Sequence, residues 1–171
     1  MQEKTPREHT DESRQGARDL PNLARAFVME ALAAARHEIA ALRAQAHGRT
    51  GHARLFRALA MAERVHWNKA LMLLRGKTST TDENLDGASQ FLEEAVLAYK
   101  AMLESAQGPA RGLIDQFLRT SRNHLGLLGK SPEREVAAYQ VCQICGFIAR
   151  AKVPDHCPVC QALPEKFQRV E

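Results

Sequence analysis

At 171 residues and 19.0 kDa, the chain has room for one ordinary domain, or for one medium and one small. Its 44% hydrophobic, 26% charged and only 5% aromatic residues suit packed helices better than a sheet, and no apolar run nears the ~20 residues that span a bilayer. The net charge, 24 minus 20 or +4, is dispersed without a basic run interleaved with aromatics, which argues against a nucleic-acid interface. The first residues lack the apolar stretch of a secretory signal, so a cytoplasmic protein is expected.

Residues 1–20 carry nine charged side chains, four basic and five acidic, and three apolar ones. Such a segment buries too little surface to offset its ordering entropy, and residues 1–19 read as a disordered or loosely attached tail. From Leu20 to about Lys130 apolar residues recur at helical spacing, interrupted by turn signals. Helix A is predicted over Pro21–Ala46, stopping at Gly48, and helix B over about Thr50–Leu74. Thr78-Ser79-Thr80-Thr81 reads as a polar connection, after which Asp82 can cap helix C, running to about Ser105. Pro109 suits the first turn of helix D, which runs to about Leu128 and stops at Gly129. Four long helices with short connections make a bundle over residues 20–130. A linker over 131–138 then leads to residues 139–171, too few to sustain a core without metal, disulfides or assembly.

All four cysteines lie in that last segment. Cys142-Gln143-Ile144-Cys145-Gly146 and Cys157-Pro158-Val159-Cys160 are two C-x-x-C pairs separated by eleven residues. Two thiolates on each of two tight turns can close a tetrahedron around one metal, and four thiolates accept zinc or a single iron with similar geometry. In a cytoplasmic chain, clustering of this kind favours metal over disulfides. Committed to metal, none of these thiolates is a nucleophile.

Tyr139, Cys142, Cys145, Gly146 and Phe147, then Pro154, Cys157, Pro158, Cys160 and Ala162, then Pro164 and Phe167, together resemble the rubredoxin-like module that ends rubrerythrins. The resemblance implies a redox-active iron on Cys142, Cys145, Cys157 and Cys160, and a mainly α chain: a ferritin-like four-helix bundle followed by this small metal domain. Gln161 departs from the pattern, which commonly has glycine after the fourth cysteine; strain in the second turn is expected there.

The family's bundle holds two irons on a Glu from each of two helices and an E-x-x-H pair from each of the others. Glu63-Arg64-Val65-His66 on helix B supplies one such pair, and the i, i+3 spacing sets both side chains on one face. Leu59, Glu63, His66, Ala70 and Leu73 share one stripe, so an inward aim is expected. Glu30, within Met29-Glu30-Ala31, matches the first carboxylate, and Glu94, with Tyr99 downstream, matches the third helix's ligand. That alignment puts Phe91 at a further ligand position. His124 matches the second histidine, but Ser121 stands where the family has its bridging glutamate.

With Ser121 and Phe91 removing two carboxylates, bridging charge between two cations is short, and a mononuclear site or no bundle metal fits better than a pair. The resemblance implies electron transfer with a redox partner protein, peroxide as a candidate oxidant in oxidative-stress defence, and a homodimer. The rivals are an electron-transfer protein with an empty bundle and a helical interaction module closed by a zinc ribbon. His37, His47 and His52 are additional histidines near the A–B turn and read as surface residues, not a second metal site. Trp67 reads as interface packing.

Overall fold

The computed structural model describes residues 6–75, 80–129 and 138–171, with the backbone alone for residues 6–19. Four helices come first: α1 (Pro6–Ala46), α2 (Thr50–Arg75), α3 (Thr81–Ser105) and α4 (Gly108–Leu128). Three short strands follow, β1 (Tyr139–Cys142), β2 (Ile148–Arg150) and β3 (Phe167–Val170). The mainly α class with a small cysteine-bearing region is therefore as expected. No helix among the described residues is long and apolar enough to cross a membrane.

Helix α1 corrects one expectation. Its backbone is helical from Pro6, although the composition of residues 1–19 predicts a disordered or loosely attached tail and a helix only from Pro21; residues 1–5 lie outside the described residues. Low apolar content limits what a segment can bury; it does not remove helix propensity, and Glu, Arg, Gln and Ala are good helix formers. Pro21 lies inside the helix and costs it one backbone hydrogen bond. At the other end Gly48 takes φ +68°, a left-handed conformation that glycine adopts without penalty, and Arg49 N–H closes the turn on the Ala44 carbonyl at 2.8 Å.

The start of α3 also differs in detail. Its cap is Thr80, not Asp82: Glu83 N–H donates to Thr80 Oγ1 at 3.2 Å, and Thr80 N–H donates to Glu83 Oε2 at 2.7 Å. The reciprocal pair satisfies two amides that a helix start leaves without partners, which a lone aspartate already within the first turn could not do. The neighbouring residues 76–79, and the expected linker apart from Ala138, lie outside the described residues.

The chain divides into two compact units, residues 1–78 and 79–171. In the first, α1 and α2 form a hairpin whose seam is alanine: Ala34, Ala41 and Ala44 are buried, as are Ala53, Ala60 and Ala70. Small side chains at the contact let two helices approach closely. Trp67 meets Phe27 edge to face at 6.1 Å across this seam, the packing role expected of it.

The second unit joins α3 and α4 to the strands. Tyr99 and Phe117 pack at 5.7 Å between the two helices. The sheet has the order β2-β1-β3, all antiparallel, with Val141 opposite Ile148 and Cys142 opposite Phe167. Its centre is the sulfur cluster itself, since Cys142 and Cys157 are 1% and 0% exposed.

Candidate metal centre

Each cysteine pair sits on a turn of the same design. In the first, Cys142 N–H donates to the Phe147 carbonyl and Gly146 N–H to the Cys142 carbonyl, both at 2.9 Å. In the second, Cys157 N–H donates to the Ala162 carbonyl and Gln161 N–H to the Cys157 carbonyl, again at 2.9 Å. The residue after each second cysteine must turn left-handed: Gly146 has φ +79° and Gln161 has φ +61°. Gln161 thus takes glycine's conformation without disturbing the turn, at a local cost of about 1 kcal/mol.

These turns bring four free thiols together. Cys142 Sγ lies 3.7 Å from Cys160 Sγ, and Cys145 Sγ lies 3.5 Å from Cys157 Sγ, with all four sulfurs within 4.8 Å of one another. Sulfurs about 2.3 Å from a central ion stand about 3.8 Å apart at the edges of a tetrahedron, so the set fits one tetrahedral metal. Backbone amides point at the sulfurs: Phe147 N–H toward Cys145, Val159 and Cys160 N–H toward Cys157, and Ala162 N–H toward Cys160.

Without metal the thiols differ. Burial pushes Cys145 and Cys160 above the ordinary thiol value. For Cys157 burial, the largest single influence, acts in the same direction, but two amide donors and hydrogen bonds from the Cys145 and Cys160 thiols together hold it below the ordinary value. Cys157 is therefore a readier thiolate than Cys145 or Cys160, and a cation that replaces the protons removes the burial penalty for those two.

A second group lies in the helical hairpin. Glu30 from α1 meets Glu63 and His66 from α2, with ligand atoms within 4.8 Å of one another. His66 Nδ1 is 3.1 Å from Glu30 Oε2 and 3.3 Å from Glu63 Oε2. The Glu63 and His66 side chains hold Glu30 below its ordinary value, and the Glu30 carboxylate holds His66 above its own. The side chains of Glu30 and Glu63 are 33% and 21% exposed and that of His66 is 57% exposed, so the stripe places its carboxylates better than its imidazole.

Glu94 and His124 belong to neither group among the described residues. Glu94 is exposed and accepts from Gln90 at 3.2 Å. His124 Nε2 lies 2.8 Å from the Gly146 carbonyl; a carbonyl only accepts, so this nitrogen carries the proton and turns toward the first cysteine turn. Ser121 is buried and Phe91 is 69% exposed, and neither offers a carboxylate. His37 stacks on Phe56 at 6.2 Å, while His47 and His52 are exposed and share a cavity of about 360 Å³ with Arg43 and Arg49, surroundings that disfavour a cation.

Contacts from α4 to the cysteine turns had no signal in the sequence. Arg119 donates from Nη1 to the Val159 carbonyl at 3.0 Å and from Nη2 to the Pro158 carbonyl at 2.6 Å. Asn123 Oδ1 accepts from Ile148 N–H at 2.9 Å. The partners stand 25 to 40 positions apart, beyond the reach of any local pattern.

Residues 140–168 match the family model described as rubrerythrin, rubredoxin-like domain, so the C-terminal segment is a metal-binding domain of the rubredoxin-like kind. Over the longer chain the similarity is to solved structures of nigerythrin. One in a partially reduced state is 22% identical, with a TM-score of 0.48 over 89% of this chain and 86% of that one. Another, fully reduced, is 20% identical, with a TM-score of 0.47 over 88% and 86%. No curated protein matches the chain in sequence.

Proposed function

We propose that this chain is a rubrerythrin-like non-haem iron protein whose four-cysteine domain transfers electrons to and from a redox partner protein. The observation that carries the reading is the sulfur tetrahedron, with Cys142 and Cys157 buried while Cys145 and Cys160 are only partly covered. Bound iron would supply a one-electron couple at constant ligand geometry. The buried pair keeps water from the centre, the amide donors steady the sulfur charge, and the partly covered pair gives a partner protein a short path to it.

Glu30, Glu63 and His66 would hold a single metal in the helical hairpin. Two carboxylates and one imidazole leave room for a small oxidant such as peroxide, whose reduction to water takes two electrons and two protons. The hydrogen-bonded Glu30–His66–Glu63 group can hold and release protons there. A mononuclear site suits this set, because no other carboxylate or imidazole joins it among the described residues. Apolar side chains left largely exposed, among them Ile39 and Leu42 on α1 and Phe91 and Leu97 on α3, support assembly as a homodimer.

Metal content per chain, measured after anaerobic purification from iron-replete cells, tests the reading. Two irons are expected, one with the absorption of a four-thiolate ferric centre. One iron would empty the hairpin and leave electron transfer alone; one zinc without iron would overturn the redox reading in favour of a structural ribbon.

A further inference from the structure

The three contacts that α4 makes with the cysteine turns have a common logic when each peptide unit is followed through. The Pro158 carbonyl that accepts from Arg119 Nη2 belongs to the same peptide group as Val159 N–H, and the Val159 carbonyl that accepts from Nη1 belongs with Cys160 N–H. Those two amides are the donors to the Cys157 sulfur. On the first turn, the Gly146 carbonyl that accepts from His124 Nε2 belongs with Phe147 N–H, the donor to the Cys145 sulfur. Among the described residues, each contact in which α4 donates to a cysteine turn therefore ends, one peptide unit later, on a metal-ligating sulfur. Asn123 is the exception, because it accepts from Ile148 N–H, whose peptide carbonyl, that of Phe147, accepts from Cys142 N–H and faces no sulfur.

We propose that Arg119 and His124 are positioning residues that tune the four-cysteine centre by polarising the peptide units whose N–H groups bond to Cys157 and Cys145. Donation to a carbonyl strengthens donation by the N–H of the same amide, since hydrogen bonds in a chain polarise one another. The guanidinium contributes most, being a permanent charge that grips two successive carbonyls with one fork.

The direction follows from charge, and for its redox readout the proposal rests on the iron reading above. Four thiolates with ferric iron carry −1; adding one electron, with no proton moved and no bond broken, gives −2. Stronger N–H···S bonds and a nearby fixed cation favour the more negative state, so Arg119 raises the reduction potential.

The test uses the full chain loaded with iron, its midpoint potential followed through the thiolate-to-iron absorption. Arg119→Met is expected to lower the reduced-to-oxidised ratio at fixed ambient potential by about tenfold, equivalent to about 59 mV for one electron. Arg119→Lys keeps the charge without the fork and is expected to fall between, and His124→Phe is expected to shift the ratio less than Arg119→Met. Asn123→Ala loosens the same contact without touching a relay and is expected to leave the potential unchanged.

A parental potential in Arg119→Met with its absorption bands intact would overturn the proposal. So would an equal shift in Asn123→Ala, which would reduce the contact to a tether. Should Arg119→Met fail to fold, Arg119→Lys and His124→Phe decide the same question. Zinc-loaded chains separate this proposal from the iron reading. If iron gives no reversible couple, the functional reading fails, while release of zinc to a chelator still reports on the relay. That release is expected to be severalfold faster in Arg119→Met, and an unchanged rate would overturn the relay in either metal form.

Discussion

The two candidate metal groups are built in opposite ways. In the four-cysteine domain every ligand sits on a backbone turn closed by its own hydrogen bonds, and the flanking amides face the sulfurs. In the helical hairpin, Glu30, Glu63 and His66 depend on the pairing of two long helices, and side chains alone make the site. A turn fixes its ligands within a few residues, whereas helices fix them only after the seam has formed. The first site is therefore local in sequence and half-buried; the second is tertiary and partly open to water.

The largest expected effect separates them by removing a ligand from the local site. Cys157→Ser takes away a fully buried sulfur and a thiol held below its ordinary value. Residues 139–171 lose a large part of the roughly 10–16 kcal/mol that structural zinc binding contributes to small domains. Two-dimensional NMR should show that segment collapsing to random-coil shifts while the helical far-ultraviolet dichroism persists. Loss of both signals together would break the comparison, because the helices would then depend on the cysteine centre.

Glu63→Ala acts on the other side. The hairpin should lose its metal, with affinity reduced by at least about 100-fold, while the thiolate absorption stays at the parental level. Elemental analysis after dialysis checks this. If peroxide turnover exists in the parent and survives the substitution, the hairpin is not where the oxidant reacts.

A pair of substitutions sharpens the likeness between the two cysteine turns. Gly146→Ala forces a side chain to φ +79° and should cost about 1 kcal/mol of metal-loaded stability, although the added methyl meets no atom within 4 Å. Gln161→Gly relieves the same conformation at φ +61° and should change stability by under about 1 kcal/mol, relief being offset by a more flexible unfolded chain. Chemical denaturation of the loaded domain measures both.

The smallest effect is a pH profile of the metal-free hairpin. His66 is raised above its ordinary 6.5, so its contribution is complete below that value and is lost as pH rises through the raised one. Glu30 is lowered from 4.5, so its contribution is complete above 4.5 and is lost as pH falls through the lowered one. Thermal melting should therefore peak between about pH 4.5 and 6.5, and Glu30→Gln should flatten both shoulders. A profile that rises steadily through pH 8 would show that the pair is not formed.

Much of this was legible in the chain itself. The helix ends followed from Gly48, Pro109 and Gly129, and the cysteine turns from C-x-x-C spacing, because caps and tight turns are decided by neighbours within a few residues. Two local readings still missed. The reciprocal Thr80–Glu83 pair outcompeted Asp82, and the polar segment from Pro6 was helical although it can bury little. The amphipathic stripe on α2 brought Glu63 and His66 to one face, but periodicity could not say that Glu30, 36 positions from His66, would meet them.

Tertiary structure alone decided how the ligands and helices are shared out. It grouped α3 and α4 with the strands, turned His124 toward a backbone carbonyl, and set Arg119 over the second cysteine turn. The physical reason is range. Composition and spacing fix what a residue can bond, and a turn or cap finds its partner within a few residues; a side chain on a helix face meets whatever packing brings to it.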